Sequence, residues 1–296
     1  MSIFNEFNKK EKPIFTGSRM GFGRSPMLAA AAATSYSDPD AANLYFAYAF
    51  DNTNQANDVQ NIIRAANGVS NGTLRNATKG SAASFSSTQN KFYTHSLYTG
   101  DNFDNGHVKM SHSTAGVDFY RLKVPFTIQF WVYYNDGPFN NFPSESPGDM
   151  GAVYEPASGR SGWKLSIHHN RAQIYGYYSG DTTRTVNTNT VTNSSGEWMH
   201  WAFAVSGGET ASRVYKNGTL LSNNSDSIKS HSVGDYASTA NNSSTIYVAG
   251  RGTDYTYDSR KDFSDAYYQD VKFYTTARSQ ANIQAEYNFG LPIIDA

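Results

Sequence analysis

From Asn43 onward, apolar and polar residues alternate with a period of two, the pattern of strands that turn one face to a core. "LYFAYAFD" puts Leu44, Phe46, Tyr48 and Phe50 on one face, and "FTIQFWVYYN" aligns Phe126, Ile128, Phe130, Val132 and Tyr134, with Trp131 opposite. "WKLSIHHNRAQIYGYY" reads as two strands: Trp163, Leu165 and Ile167 align, Asn170-Arg171 turns the chain, and Ile174 follows. "STIYVAG" and "QDVKFYT" continue the pattern. In "GEWMHWAFAVSGGETASRVYKNGTLLSN", Met199, Trp201, Phe203 and Val205 share one face, and Trp198, His200, Ala202 and Ala204 the other. "RVYK" is the next strand. Asn217-Gly218 predicts a tight hairpin, because both central positions of that turn want a positive φ, and Leu220 and Leu221 return along the partner. The tryptophans are therefore sheet residues, with core packing weighed against ligand stacking. One helix is predicted near the end, capped by Ser279, with Ile283 and Tyr287 on one face. Strands with a single helix predict a two-sheet sandwich.

Residues 1–42 differ. "MSIFNEFNKKEKPIFTGSRMGFGRSP" scatters Phe4, Phe7, Phe15 and Phe22 among Lys9, Lys10, Lys12, Arg19 and Arg24, with only Glu6 and Glu11 against them. No period persists, and alone the segment buries too little apolar surface to offset its ordering entropy. It reads as an extended docking arm: Phe4, Phe7, Phe15 and Phe22 fill a neighbour's slots, and Lys9, Lys10, Lys12 and Arg19 meet acidic rims. A disordered tail is the competing reading. "MLAAAAA", Met27 to Ala33, reads as a short helix or spacer rather than a signal core. The expected domains are the arm, 1–42, and one sandwich, 43–296.

Composition narrows the chemistry. The chain has 296 residues, only 17% of them charged, and a net charge of −1, which argues against a nucleic-acid surface. No apolar run reaches membrane-helix length, so no membrane partner is expected. With no cysteine, disulfides, thiolate metal sites and a Cys nucleophile are excluded.

The ordered series "FTIQFWV", "GWKLSI", "EWMHWAFAVSG", "RVYKNGTLL", "STIYVAG" and "FSDAYYQDVKFYTTARSQANIQAEY" resembles the concanavalin A-like lectin/glucanase superfamily in its laminin-G-like branch. The matching positions are Trp198, His200, Asn217, Gly218, Asp270, Tyr274, Ser279 and Ile283. "LYFAYAFD" resembles the first strand of that branch, and "NFDNGHVKM" the strand before "FTIQFWV". The resemblance implies an all-β jelly-roll sandwich of two antiparallel sheets with one short C-terminal helix, here preceded by the extended arm. Separately, "KEKPIFTG…GFG", Lys10 to Gly23, resembles the N-termini of virion structural proteins of marine tailed bacteriophages.

Glycosidases of the superfamily resemble one another in closely spaced carboxylates on one strand, one to protonate the leaving oxygen and one to attack or activate water. Here Glu145, Glu155, Glu197, Glu209 and Glu286 are scattered, so no enzyme is expected. There is no His-Glu-x-x-His, no Gly-x-Ser-x-Gly and no phosphate-cradling glycine loop. His200 reads as a satisfied sheet residue, and Asp270 as a buried acid accepting backbone N–H groups. No cofactor is expected beyond calcium, for which Asp254, Asp258, Asp262 and Asp265 offer hard oxygen ligands; ion pairing with Arg251, Arg260 and Lys261 explains the same acids. Tyr175, Tyr177, Tyr178, Tyr255 and Tyr257 are the candidate glycan-stacking residues. The resulting expectation is a non-enzymatic virion accessory protein on a particle surface. The arm would bind other virion proteins of the shell or tail, and several copies would assemble as a homo-oligomer. The alternative is a glycan-binding adhesin module.

Overall fold

The computed structural model describes residues 38–50, 58–59, 72–76, 84–92, 94–99, 106–111, 125–135, 150–154, 161–167, 171–177, 183–188, 196–206, 212–221, 223–226, 245–248 and 266–289. The chain divides into two compact units, Met1–Ser37 and Asp38–Ala296, and the second holds every described residue. Residues 38–42, grouped with the arm on sequence grounds, fall within that second unit.

The strands in chain order are β1 (Leu44–Tyr48), β2 (Asp58–Val59), β3 (Gly72–Asn76), β4 (Ser84–Ser86), β5 (Ser96–Tyr98), β6 (Gly106–Ser111), β7 (Phe126–Tyr134), β8 (Met150–Tyr154), β9 (Ser161–Ile167), β10 (Ala172–Tyr177), β11 (Thr183–Thr188), β12 (Trp198–Val205), β13 (Arg213–Lys216), β14 (Thr219–Leu220), β15 (Asn223–Asp226), β16 (Thr245–Val248) and β17 (Ala266–Tyr274). A helix, α1 (Gln280–Phe289), follows β17. One sheet runs β14-β13-β12-β7-β17-β5-β4, with β1 also on β17. The other runs β15-β11-β10-β9-β8-β16-β6-β3-β2. The pairings are antiparallel, and the fold is the jelly-roll sandwich the motifs imply.

The core lies between the sheets. Phe126, Ile128, Phe130, Val132 and Tyr134 of β7 and Met199, Trp201, Phe203 and Val205 of β12 meet Leu165, Ile167, Ala172 and Ile174 of the opposite sheet. These are the faces that the alternation selects, and each large side chain so buried contributes about 2 kcal/mol. Ring stacks tie neighbouring strands within the layer: Phe126 on Phe273 at 5.3 Å and Phe130 on Phe203 at 6.2 Å between centroids.

Among the described residues the register shifts at three places, one of them between Asn187 and Thr188 at the β11–β15 pairing and the other two at β17. In β1 the register shifts between Leu44 and Phe46. Leu44 therefore packs with Ala47 and Tyr274, while Tyr48 and Phe50 enter the main core. The single face expected for Leu44, Phe46, Tyr48 and Phe50 is thus broken between Leu44 and Tyr48, because one extra residue exchanges faces wherever it is inserted. In β17 the shift falls between Gln269 and Lys272, with Asp270 at φ +52°. On the side of β17 away from β7, β5 pairs before this bulge and β1 after it.

Candidate functional site

The outer face of the β7-β12-β17 sheet collects the polar and aromatic side chains that the core excludes. One end lies under α1. Ser279 Oγ accepts the Asn282 N–H at 3.2 Å, a helix N-cap as the sequence predicts. Ile283 packs on Ala202, Ala204 and Tyr215, and Tyr287 stacks on Trp131 at 5.6 Å. The hairpin at Asn217 (φ +48°) and Gly218 (φ +73°) is bound to β12 by two bonds: His200 N–H donates to Asn217 Oδ1, and Asn217 N–H to the His200 carbonyl, at 2.9 and 2.8 Å. This exchange is the physical content of the Trp-x-His and Asn-Gly motifs.

Beside the helix lies a buried ionic cluster. Glu286 accepts from Lys272 Nζ at 2.5 Å and from Arg278 Nη1. Lys272 also meets Asp270 at 3.0 Å. Arg278 donates to Gln129 Oε1 at 2.9 Å, Asp40 Oδ2 at 2.8 Å and Asp38 Oδ1 at 2.6 Å, and its guanidinium lies 4.2 Å from the Tyr274 ring centroid. The Tyr274 hydroxyl donates to Asp38 Oδ2 at 2.6 Å. Burial alone would push the Glu286 carboxyl up, but Lys272 and Arg278 reverse this and hold it well below the usual carboxylate range. Burial would lower Lys272, and Asp270 and Glu286 instead raise it. Every one of these acids is engaged by a cation, so none is poised as a general acid or nucleophile. Asp270, expected to accept backbone N–H groups, thus has a lysine ammonium against its carboxylate.

His200 departs from expectation. It is buried between Trp131 and Tyr287, 5.1 and 6.1 Å away, yet its Nδ1 has no hydrogen-bond partner. Burial lowers its pKa to about 4; Glu286 opposes the shift, and Lys272, Arg278 and Lys91 add to it. The ring is neutral at pH 7.

The other end of the same face carries an aromatic row. Tyr98 pairs with Tyr267, Tyr267 with Tyr133, and Tyr133 with Trp198, in direct cross-strand register over β5, β17, β7 and β12. The centroid steps are 4.6, 6.1 and 5.8 Å. Tyr98, Tyr133 and Trp198 are half-buried, Tyr267 is buried, and Asn135 Nδ2 donates to Tyr267 Oη at 3.4 Å. Alternation along each strand signals which face these rings occupy; that they form one row depends on register between segments far apart in the chain.

Most of the residues singled out from sequence are not among the described ones. Phe4, Phe7, Lys9, Lys10, Lys12, Phe15, Arg19 and Phe22 lie outside the described residues, as do Tyr178, Tyr255, Tyr257, Asp254, Asp258, Asp262 and Asp265. Tyr175 and Tyr177 lie on β10, and only their backbone is described. Among the described residues, no group of three or more His, Asp or Glu could hold a metal, and no helix is long and apolar enough to cross a membrane.

Fold and face together define a lectin-like sandwich. Residues 104–284 match the laminin-G family of the Concanavalin A-like lectin/glucanases superfamily, and the chain belongs to that family. No curated protein matches its sequence. Among solved structures it is similar to botulinum neurotoxin type C, described as depending on two ganglioside molecules for cell entry, at 14% identity and a TM-score of 0.54 over 83% of this chain and 51% of that one. The serotype C1 binding domain gives 15%, 0.53, 83% and 52%. The neurotoxin DC binding domain in complex with SialylT gives 13%, 0.52, 83% and 51%. The chain spans about half the length of these structures.

Proposed function

We propose that the chain is a non-catalytic recognition module of a phage particle, with the sandwich displayed on the virion surface and residues 1–37 docking it to a shell or tail protein. The observation that carries the non-catalytic part is the state of the buried acids. Glu286 and Asp270 are locked against Lys272 and Arg278, whereas the aromatic row on the same face is open to solvent at Tyr98, Tyr133 and Trp198. A face that spends its charges internally and leaves rings outside is built to bind rather than to transfer protons. The superfamily assignment and the glycan ligands described for the toxin structures support the same reading.

The particle location is supported by the basic, aromatic composition of the leading segment and by the compact unit that starts after it, at Asp38. Virions assembled with the chain lacking residues 1–37 should contain none of it by mass spectrometry, while those assembled with the full chain contain it. Retention of the shortened chain at wild-type copy number would rule the docking role out.

A further inference from the structure

We infer that α1 is an acid-opened flap: as the pH falls, a proton taken up by His200 drives the helix off the outer face of the β7-β12-β17 sheet while the sandwich stays folded. The helix is placed to move by itself. It follows β17 and adds no strand to either sheet, and the main core between the sheets contains none of its residues. Ile283 belongs instead to a small separate cluster with Ala202, Ala204 and Tyr215. An element with few contacts to the core opens at a lower free energy than the fold as a whole.

His200 lies under that helix. Its ring is 1% exposed, with Trp131 of β7 at 5.1 Å and Tyr287 of α1 at 6.1 Å between centroids, and its Nδ1 has no hydrogen-bond partner. A proton on this ring would be a buried charge without a partner. The charged groups around it come from every element packed there. Glu286 on α1 favours the imidazolium; Lys272 on β17, Arg278 between β17 and α1, and Lys91 between β4 and β5 oppose it. Three cations against one carboxylate leave the proton uncompensated. Lifting Tyr287 and its helix away lets water reach the ring without parting β12 from β7, whose pairing runs from Trp198 to Val205.

The ionic tethers allow the helix to leave. Glu286 binds Lys272 and Arg278, and Asn282 Nδ2 donates to Asp40 Oδ2 at 2.8 Å. Without Glu286, Lys272 keeps Asp270, and Arg278 keeps Asp38, Asp40 and Gln129, so neither cation is stranded. Closed, the imidazole resists its proton until about 4; open, it takes one near 6.5. The flap is therefore shut above pH 6.5 and loosens as the pH drops towards 4. Glu286, held below its ordinary 4.5, adds to the loosening only beneath that value.

Hydrogen exchange of the full-length chain at pH 7 and pH 5, corrected for the intrinsic rate, reads this opening. Amides of residues 283–289 should lose about 20-fold in protection, the change expected of an imidazole with those two values. Those of β7 and β12 should remain better protected than α1 at both pH values. His200→Gln should lose less than about twofold in α1 over the same range. Tyr287→Ala, which uncovers the ring, should leave α1 weakly protected already at pH 7 with the sheet still protected, and it serves as the test if His200→Gln does not fold. The flap is refuted if α1 exchanges no faster than β7 and β12, if its protection is the same at pH 7 and pH 5, or if His200→Gln keeps the full wild-type change. It is equally refuted if Tyr287→Ala leaves α1 as protected and as pH-sensitive as in the wild type.

Discussion

His200 shows how a single side chain couples the stability of this fold to pH. Its ring is enclosed by Trp131 and Tyr287, and its Nδ1 lacks a partner, so a proton there would be a buried, unpaired charge. Unfolded, the imidazole takes up its proton near its ordinary value of 6.5; folded, it resists until about 4. Between those values the unfolded chain binds more protons. Stability is therefore fully present above pH 6.5 and falls as the pH drops towards 4, by on the order of 3 kcal/mol. Glu286, whose folded pKa is depressed, adds a loss only below its ordinary value of 4.5. His200→Gln should remove most of the pH dependence in the upper window. In urea unfolding the variant's midpoint should change little between pH 6.5 and 4.5, where that of the wild type falls. Parallel falls in both proteins would assign the acid sensitivity to another group. The sequence could mark His200 as a sheet residue from its place in the strand, but the orphaned nitrogen depends on what α1 lays over it.

At the level of elements, the hairpin turn and α1 depend on each other. Gly218 sits at φ +73°, where a side chain is disfavoured, and a Cβ there would lie 2.9 Å from Gln284 Nε2 and 3.2 Å from Gln284 Cα. Gly196 has a similar φ, +79°, with nothing within 4 Å. The two glycines separate backbone strain from crowding. Gly196→Ala should cost about 1 kcal/mol, from φ alone. Gly218→Ala should cost a further 1–2 kcal/mol, roughly, because the helix backbone must move. Equal costs in denaturant titrations would mean that the helix does not press on the turn. The turn was legible in the sequence because Asn-Gly has a local cause, and the inner strands were legible because one residue pattern serves one face. The bulges at Leu44/Phe46 and Gln269/Lys272 were not, since their cause is the fit between β1, β17 and β7 rather than anything within one segment.

At the scale of the whole molecule, Arg278 joins parts of the chain that no local pattern connects. Its partners come from residues 38, 40, 129 and 286. Nothing in "TTARSQAN" or "SDPDAAN" marks either segment as the other's complement, which is why the boundary expected at Asn43 fell inside the compact unit. Asn43 itself is bonded into the sandwich, its carbonyl accepting from Thr275 N–H at 2.9 Å. The aromatic row shares this property: each ring is ordinary in its own strand, and the row exists only once the strands are in register. Two truncations locate the boundary. Removing residues 1–37 leaves every contact of Asp38 and Asp40 in place and should not change the urea midpoint of the sandwich. Removing residues 1–42 strips two carboxylates from a guanidinium that is itself fully buried, and should cost roughly 2–3 kcal/mol, the worth of a hydrogen bond to a charged group and more. If both truncations unfold at the midpoint of the full chain, the Asp38 and Asp40 pairs contribute nothing to holding β1 and β17 together. If only the longer one fails, residues 38–42 are an integral part of the sandwich, held there by Arg278.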